Sequence, residues 1–325
     1  MRAMLCRSLG NIGNLELSEV PPPKLEAGHV RIGVKAAGVN FPDILMVEGK
    51  YQVKPPLPLI PGLEVAGVVM ECGAGVTHVR SGDRVIAFAR KAGGFASEIV
   101  LPGAIVTPIP DSMDFVTAAA FPVAYGTAHF ALDYRGHLKR GETVLVLGAT
   151  GGVGLAAIEI GKLLGARVIA AAGGPEKLAV AREHGADELI DYRSENLRDR
   201  ALELTGGNGV DVIFDPVGGT AFDESVRSLA WEGRMLVIGF ASGDIPKIAA
   251  NYILVKNISV IGVVFGEHTF RYPLATRERL AGLIRQFAAG HLKPRVWRTY
   301  PLADLPAALA EMAGRRVVGK IVIEI

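Results

Sequence analysis

Residues 144–154 read VLVLGATGGVG. Four apolar residues run into a stretch with glycine at positions 148, 151, 152 and 154. Such a run is a phosphate-binding turn if it joins a strand to a helix. Otherwise it is a buried turn that needs small residues. The G-x-G-x-x-G fingerprint would begin at Ala149, so the motif alone decides nothing. The flanking sequence decides it.

From Thr143 onward, strand-like and helix-like runs alternate. TVLVL precedes LAAIEIGKLLGA, and RVIAAA precedes PEKLAVAREHG, where Pro175 is placed to open a helix. DELIDY is followed by ENLRDRALELTG and VDVIFD by AFDESVRSLAWEG; the strand-like MLVIGF and ISVIGVVFG come last. Repeated βα units of this length force parallel strands with right-handed crossovers, hence an open, doubly wound α/β sheet. The glycine turn then follows a strand, opens a helix and lies in the first unit. Gly151 is assigned the tight turn, Gly152 and Gly154 the space for pyrophosphate and for helix packing, and the amide of Val153 faces the anion. This is a dinucleotide site.

The second strand of such a sheet usually ends in an acid that holds the adenosine ribose. Here it ends AAAGGPEK, with Gly173 and Gly174 at that position. No carboxylate is there to repel a 2′-phosphate. Lys177 in the next helix, and Tyr192 with Arg193 after the third strand, supply charge and donors. The expected cofactor is NADPH.

The first 120 or so residues differ in kind. HVRIGVKAAGVN, EVAGVVMECGAGV, DRVIAF and FASEIVLP are short β-branched runs broken by glycine and proline, the pattern of a barrel-like β domain. Beyond Gly266 come two helical patterns, ATRERLAGLIRQFAAGHL and LADLPAALAEMAGR, and a closing strand, GKIVIEI. That strand has no room in a completed six-strand set and is expected to return to the β domain. The expected division is 1–124 with 267–325 for the β domain and 125–266 for the dinucleotide domain.

Composition narrows the classes. Half of the 325 residues are hydrophobic and 21% are charged, and 35 Lys and Arg against 33 Asp and Glu leave a formal charge of +2. No nucleic-acid or membrane partner is expected. No run has the length of a signal h-region or a membrane span. Cys6 and Cys72 make neither a metal cluster nor a disulfide framework, and a cytoplasmic setting is expected. Neither H-E-x-x-H nor G-x-S-x-G occurs.

AAGVNFPDILMVEGKY, PLIPGLEVAGVV, GGFASEIVLP, AAAFPVAYGTAHFAL, LVLGATGGVG and GKIVIEI together resemble, in order and over nearly the whole chain, the zinc-independent quinone oxidoreductases. These form the ζ-crystallin-like branch of the medium-chain dehydrogenase/reductases. The resemblance implies a Rossmann domain inserted in a GroES-like β-barrel catalytic domain. Zinc members of the superfamily use a cysteine and a G-H-E histidine. Here those positions read Asn40 and Gly62-Leu63-Glu64, and Asp83 to Val100 holds no cysteine of a structural zinc lobe. No metal is expected, and Glu64 is read as a packing or hydrogen-bonding remnant.

The resemblance further implies NADPH-dependent reduction of a small quinone or enone by hydride transfer, in a cleft lined by Asn40, Asp43, Tyr51 and Thr127. Asn40 and Tyr51 are the expected hydrogen-bond donors and Thr127 the nicotinamide contact, with Asp43 bracing the loop. Gly239 and Phe240, and Val264 and Phe265, are expected to end two strands and meet the cofactor with their backbone. Lys320 is assigned to the cofactor phosphates. Pairing of the ISVIGVVFG edge strand across a two-fold axis implies a homodimer. An enone or enoyl-thioester reductase is the competing reading, with a cofactor-loaded binding protein third.

Overall fold

Alternating burial builds the N-terminal part. In the computed structural model, which describes residues 1–52 and 54–325, β1 (Arg2–Cys6) and β2 (Leu15–Glu19) form an antiparallel pair. In β3 (His29–Gly38), Val30, Ile32, Val34 and Ala36 point into the core while the intervening residues face outward, the period of two of a half-buried strand. α1 (Phe41–Val47) follows at once, opened by extended Asn40 with Pro42 in its first turn. β4 (Glu64–Cys72), β5 (Arg84–Phe88), β6 (Glu98–Pro102) and β7 (Thr107–Pro108) add antiparallel strands. α2 (Phe115–Ala119) and α3 (Pro122–His129) end this part.

The alternating region then folds as β8 (Thr143–Val146), α4 (Gly152–Leu163), β9 (Arg167–Ala172), α5 (Pro175–Glu183), β10 (Glu188–Asp191), α6 (Leu197–Leu204), β11 (Val210–Asp215), α7 (Gly219–Ser225), β12 (Leu229–Val237), α8 (Ala250–Lys256) and β13 (Ser259–Gly262). The strands make one parallel sheet in the order β10-β9-β8-β11-β12-β13. The direction of winding reverses between β8 and β11, where open α/β sheets bind ligands. Val144, Leu145, Val146 and Val168 to Ala171 have no exposed surface, as a sheet covered on both faces requires.

Three expected boundaries shift. LAWEG is strand: Val210 pairs with Leu229 and Val212 with Arg234, so the residues between loop out, with Glu232 at φ +61°. MLVIGF ends as strand at Val237. Ile238 and Gly239 donate to Asp215 O, Ala241 to Pro216 O and Ser242 to Val217 O, which folds Gly239 and Phe240 over the end of β11. ISVIGVVFG ends as strand at Gly262. Val263 makes a last bond to Val237 O, and Phe265 opens α9 (Phe265–Arg271). Val264 and Phe265 are therefore not strand residues.

α10 (Pro273–Ala288), β14 (Val296–Pro301), α11 (Leu305–Ala313) and β15 (Lys320–Glu324) complete the chain. β15 pairs antiparallel with β3 and parallel with β14, giving the order β14-β15-β3-β4-β5-β7 with β6 also on β3. Ile321 and Ile323 share one core with Val30, Ile32 and Val65. β14 carried no sequence signal because it is a short, largely solvated edge strand. The chain divides into two units: Met1–Gly126 with Gly266–Gly290 and Pro294–Ile325, and Thr127–Phe265 with His291–Lys293. Among the described residues, no helix is long and apolar enough to cross a membrane.

Candidate active site

In the α/β unit the chain leaves β8 through Gly148, whose φ of +55° makes the tight turn. Gly151 is instead an extended helix cap at φ −71°, so the turn assigned to Gly151 belongs to Gly148. A Cβ on Gly154 would lie 2.4 Å from Gly148 O and 2.7 Å from Ala149 C, a clash that only glycine avoids. Ala149 is fully buried and donates its N–H to Ala171 O, so its methyl group is packed into the sheet rather than held out over the turn. No side chain caps the N-terminus of α4, which leaves the half-buried Gly151–Val153 stretch and the helix dipole available to an anion.

At the end of β9, Gly174 has φ +93° and donates to Asp191 Oδ1 at 3.0 Å. A Cβ on Gly173 would lie 2.7 Å from Arg193 Nε and 3.2 Å from the Tyr192 ring, so both side chains lie over this glycine. Burial and then the Arg193 charge hold the Lys177 ammonium below its usual range, as expected of cations gathered before an anion. Asp191 accepts from the backbone of Gly174 and Arg193 and so shapes the loop, while Glu195 accepts from the Asp191 N–H. These residues fit a ribose 2′-phosphate, and the glycine turn fits a pyrophosphate.

Sequence reasoning passed over Asp215. It is fully buried at the end of β11, where Oδ1 accepts from Val217 N (2.7 Å) and Gly218 N (2.9 Å). Burial pushes its carboxyl up against the opposing pull of those two amides. A Cβ on Gly148 would be 2.9 Å from Val217 Cγ2, so Asp215 holds the loop that packs on the glycine turn. Asp-Pro-Val-Gly-Gly at a strand end was the available signal. Thr127 is buried in α3, and Phe265 packs on Phe130 with ring centroids 6.0 Å apart, while Val264 is exposed.

In the β unit, Asn40, Glu64 and Lys320 form a buried cluster. Lys320 Nζ donates to Val39 O at 2.8 Å, Asn40 Oδ1 at 2.7 Å and Glu64 Oε1 at 2.7 Å. All three ammonium hydrogens are spent there, so the assignment of Lys320 to cofactor phosphates does not hold. Asn40 Nδ2 donates to Gly38 O (3.2 Å) and Glu64 Oε1 (2.8 Å). Its donors are committed within the protein, and Asn40 is not the acceptor-facing donor the sequence suggested. Glu64 Oε2 accepts from Val123 N at 2.8 Å. With an amide at position 40, leucine at 63 and both Glu64 oxygens engaged, this donor set does not fit a zinc ion.

Asp43 accepts from Asn40 N (2.7 Å) and Gly62 N (3.2 Å). Burial pushes its carboxyl up to about 7, against the opposing effects of the Asn40 amide and the Lys320 charge. Tyr51 closes the turn after α1, donating its N–H to Leu45 O at 3.0 Å. Its half-buried phenol is pushed up by desolvation and by Asp43, with Arg90 opposing. Arg90 itself stacks on Phe270 at 4.5 Å and pairs with Glu267 at 2.6 Å. Tyr51 thus stays protonated through the neutral range.

The architecture and the glycine site define an oxidoreductase with GroES-like and Rossmann parts. The alcohol dehydrogenase GroES-like domain family matches residues 26–111, and the zinc-binding dehydrogenase family matches residues 152–278. A quinone oxidoreductase-like protein 2 homolog of Nematostella vectensis is 40% identical over 99% of this chain and 88% of its own. Two solved structures in complex with NADPH each match the whole of both chains. Mycobacterial Rv1454c does so at 32% identity with a TM-score of 0.93, and an Escherichia coli quinone oxidoreductase at 28% and 0.92. The chain belongs to the quinone oxidoreductase branch of the medium-chain dehydrogenase/reductases.

Proposed function

We propose that this enzyme reduces quinones with NADPH by hydride transfer and without a metal. The observation that carries the reading is the replacement of a metal donor set by Lys320, Glu64 and Asn40. A chain without a Lewis acid suits an acceptor that is already electron-poor, as quinones are. When bound, NADPH supplies the hydride. Gly151 to Gly154 hold its pyrophosphate, and Lys177, Tyr192 and Arg193 hold the 2′-phosphate over Gly173. Thr127 and the backbone of Gly239, Phe240, Val264 and Phe265 are assigned to the nicotinamide end.

The protonated Tyr51 phenol donates to the acceptor oxygen as negative charge develops there. Solvent protonates the hydroquinone anion, so no dedicated acid is required. The same phenol also suits protonation of a reduced enone or enoyl thioester at carbon, which is the second reading. The exposed apolar residues at Leu254, Val255, Val260 and Val264 support a homodimer formed across the β13 edge.

Steady-state assays with 1,4-benzoquinone, 9,10-phenanthrenequinone, an alkenal and crotonyl-CoA test these readings. Quinone turnover, lowered roughly 10- to 100-fold in Tyr51→Phe, is expected. Turnover of the thioester alone would sink the quinone reading. NADPH binding without any turnover would leave the binding-protein reading.

A further inference from the structure

The buried cluster of the β unit does more than occupy space. The Lys320 side chain is 7% exposed and that of Glu64 is fully buried, so the pair has given up nearly all its hydration. Buried ion pairs return little net stability against well-packed apolar residues, because desolvation offsets most of the attraction. What they supply is direction. An ammonium group has three hydrogens, and here each meets an acceptor at 2.7–2.8 Å. Asn40 has both amide donors and its carbonyl oxygen occupied, which fixes the side chain in one orientation.

The surroundings are shaped for this arrangement. A Cβ on Gly38 would lie 2.3 Å from Glu64 Oε1 and 2.4 Å from Ala119 O, so only glycine there admits the carboxylate. Glu64 joins the start of β4 to Val123 at the start of α3, and Lys320 joins both to the first residue of β15. From Asn40 the restraint continues without a break. Asp43 Oδ2 binds Asn40 N, α1 follows, and Leu45 O at its centre receives the amides of Lys50 (2.7 Å) and Tyr51 (3.0 Å).

We propose that Lys320 is a positioning residue: a built-in cation that, through Asn40 and Glu64, holds the 38–51 segment so that Tyr51 faces the acceptor. It touches neither acceptor nor cofactor. The proposal rests on reading Tyr51 as the acceptor-facing group.

The test uses the full chain with NADPH and 9,10-phenanthrenequinone, comparing Lys320→Met, Lys320→Arg and the charge-balanced double variant Lys320→Met/Glu64→Gln. The double variant keeps the test open if Lys320→Met does not fold, since it leaves no lone buried charge. In the folded variants kcat is expected to fall about 10- to 100-fold, the penalty of a misplaced group. The Kd for NADPH stays within roughly twofold, and Lys320→Arg recovers part of the rate. The Tyr51 phenol titration, followed by ultraviolet absorbance and assigned by difference from Tyr51→Phe, moves by about half a pH unit or more.

Two results would overturn the proposal. One is a rise of roughly tenfold or more in the NADPH Kd with kcat unchanged at saturation, which would return Lys320 to the phosphates. The other is a folded variant with both kcat and the Tyr51 titration unchanged. If the unmodified chain reduces no quinone, the quinone reading fails alone, and the Kd and the Tyr51 titration still decide the role of Lys320.

Discussion

Replacing Gly173 by Asp tests the cofactor reading at its most exposed point. A Cβ at this position lies 2.7 Å from Arg193 Nε and 3.2 to 3.3 Å from the Tyr192 ring. The new carboxylate therefore takes Arg193 as its nearest cation and stands where the 2′-phosphate would bind. Diverting Arg193 removes one charged hydrogen bond to that phosphate, a loss of about 1.5–3 kcal/mol. Repulsion between the carboxylate and the phosphate adds roughly 1–2 kcal/mol across ~6 Å, using a high effective dielectric because the Tyr192 side of the site is about half solvated. Together these shift the NADPH-to-NADH affinity ratio by roughly 60- to 4,000-fold, since about 1.4 kcal/mol is a factor of ten. NADH lacks the phosphate and gains a carboxylate partner for its ribose hydroxyls, so its affinity holds or improves. Fluorescence titration of both nucleotides, with the unmodified chain and with Gly173→Asp, reads the ratio directly. An unmodified chain that binds both equally, or a variant with an unchanged ratio, would show that the phosphate is not read at Gly173.

Three other outcomes are expected. Gly154→Ala places its Cβ 2.4 Å from Gly148 O, and the forced parting of α4 from the turn lowers stability by about 1–3 kcal/mol and weakens NADPH binding; a thermal scan with an unchanged Tm refutes it. Asp43 titrates near 7 when folded, above its ordinary 3.8, so the folded state holds a proton the unfolded chain releases. Its contribution to stability is thus greatest at low pH and is lost as pH rises through about 7, on the order of 1–4 kcal/mol. Asp43→Asn should flatten the fall in Tm between about pH 4 and 7, and parallel profiles for the two proteins would contradict this. Val260→Lys puts a charge on the apolar β13 edge and should turn the proposed dimer into a monomer in sedimentation velocity. A variant as dimeric as the unmodified chain would move the interface elsewhere.

The parallel sheet was legible because its information is local. Each βα unit carries its own periodicity, and a strand buried on both faces, such as VLVL or RVIAAA, reads as a continuous apolar run wherever it is packed. Gly154 was legible for a related reason: the clash it avoids is with Gly148, six positions back in the same turn. The neighbouring assignment to Gly151 failed because several glycines stood close together, and a sequence does not say which one carries the positive φ. LAWEG was read as helix because its apolar residues suit either period. The pairing of Val210 with Leu229 and of Val212 with Arg234 made it a looped-out strand, and that pairing is made across the sheet.

By itself, the sequence determined the doubly wound sheet, the glycine turn and the lack of an acid at Gly173, all of which depend on residues close together in the chain. Only the tertiary structure decided what Lys320 and Asn40 do. They are 280 positions apart, and a lysine opening a terminal strand carries no local sign of being buried. Its partners were set when β15 paired with β3 beside Glu64, where an ammonium deprived of water has to find three acceptors within the protein.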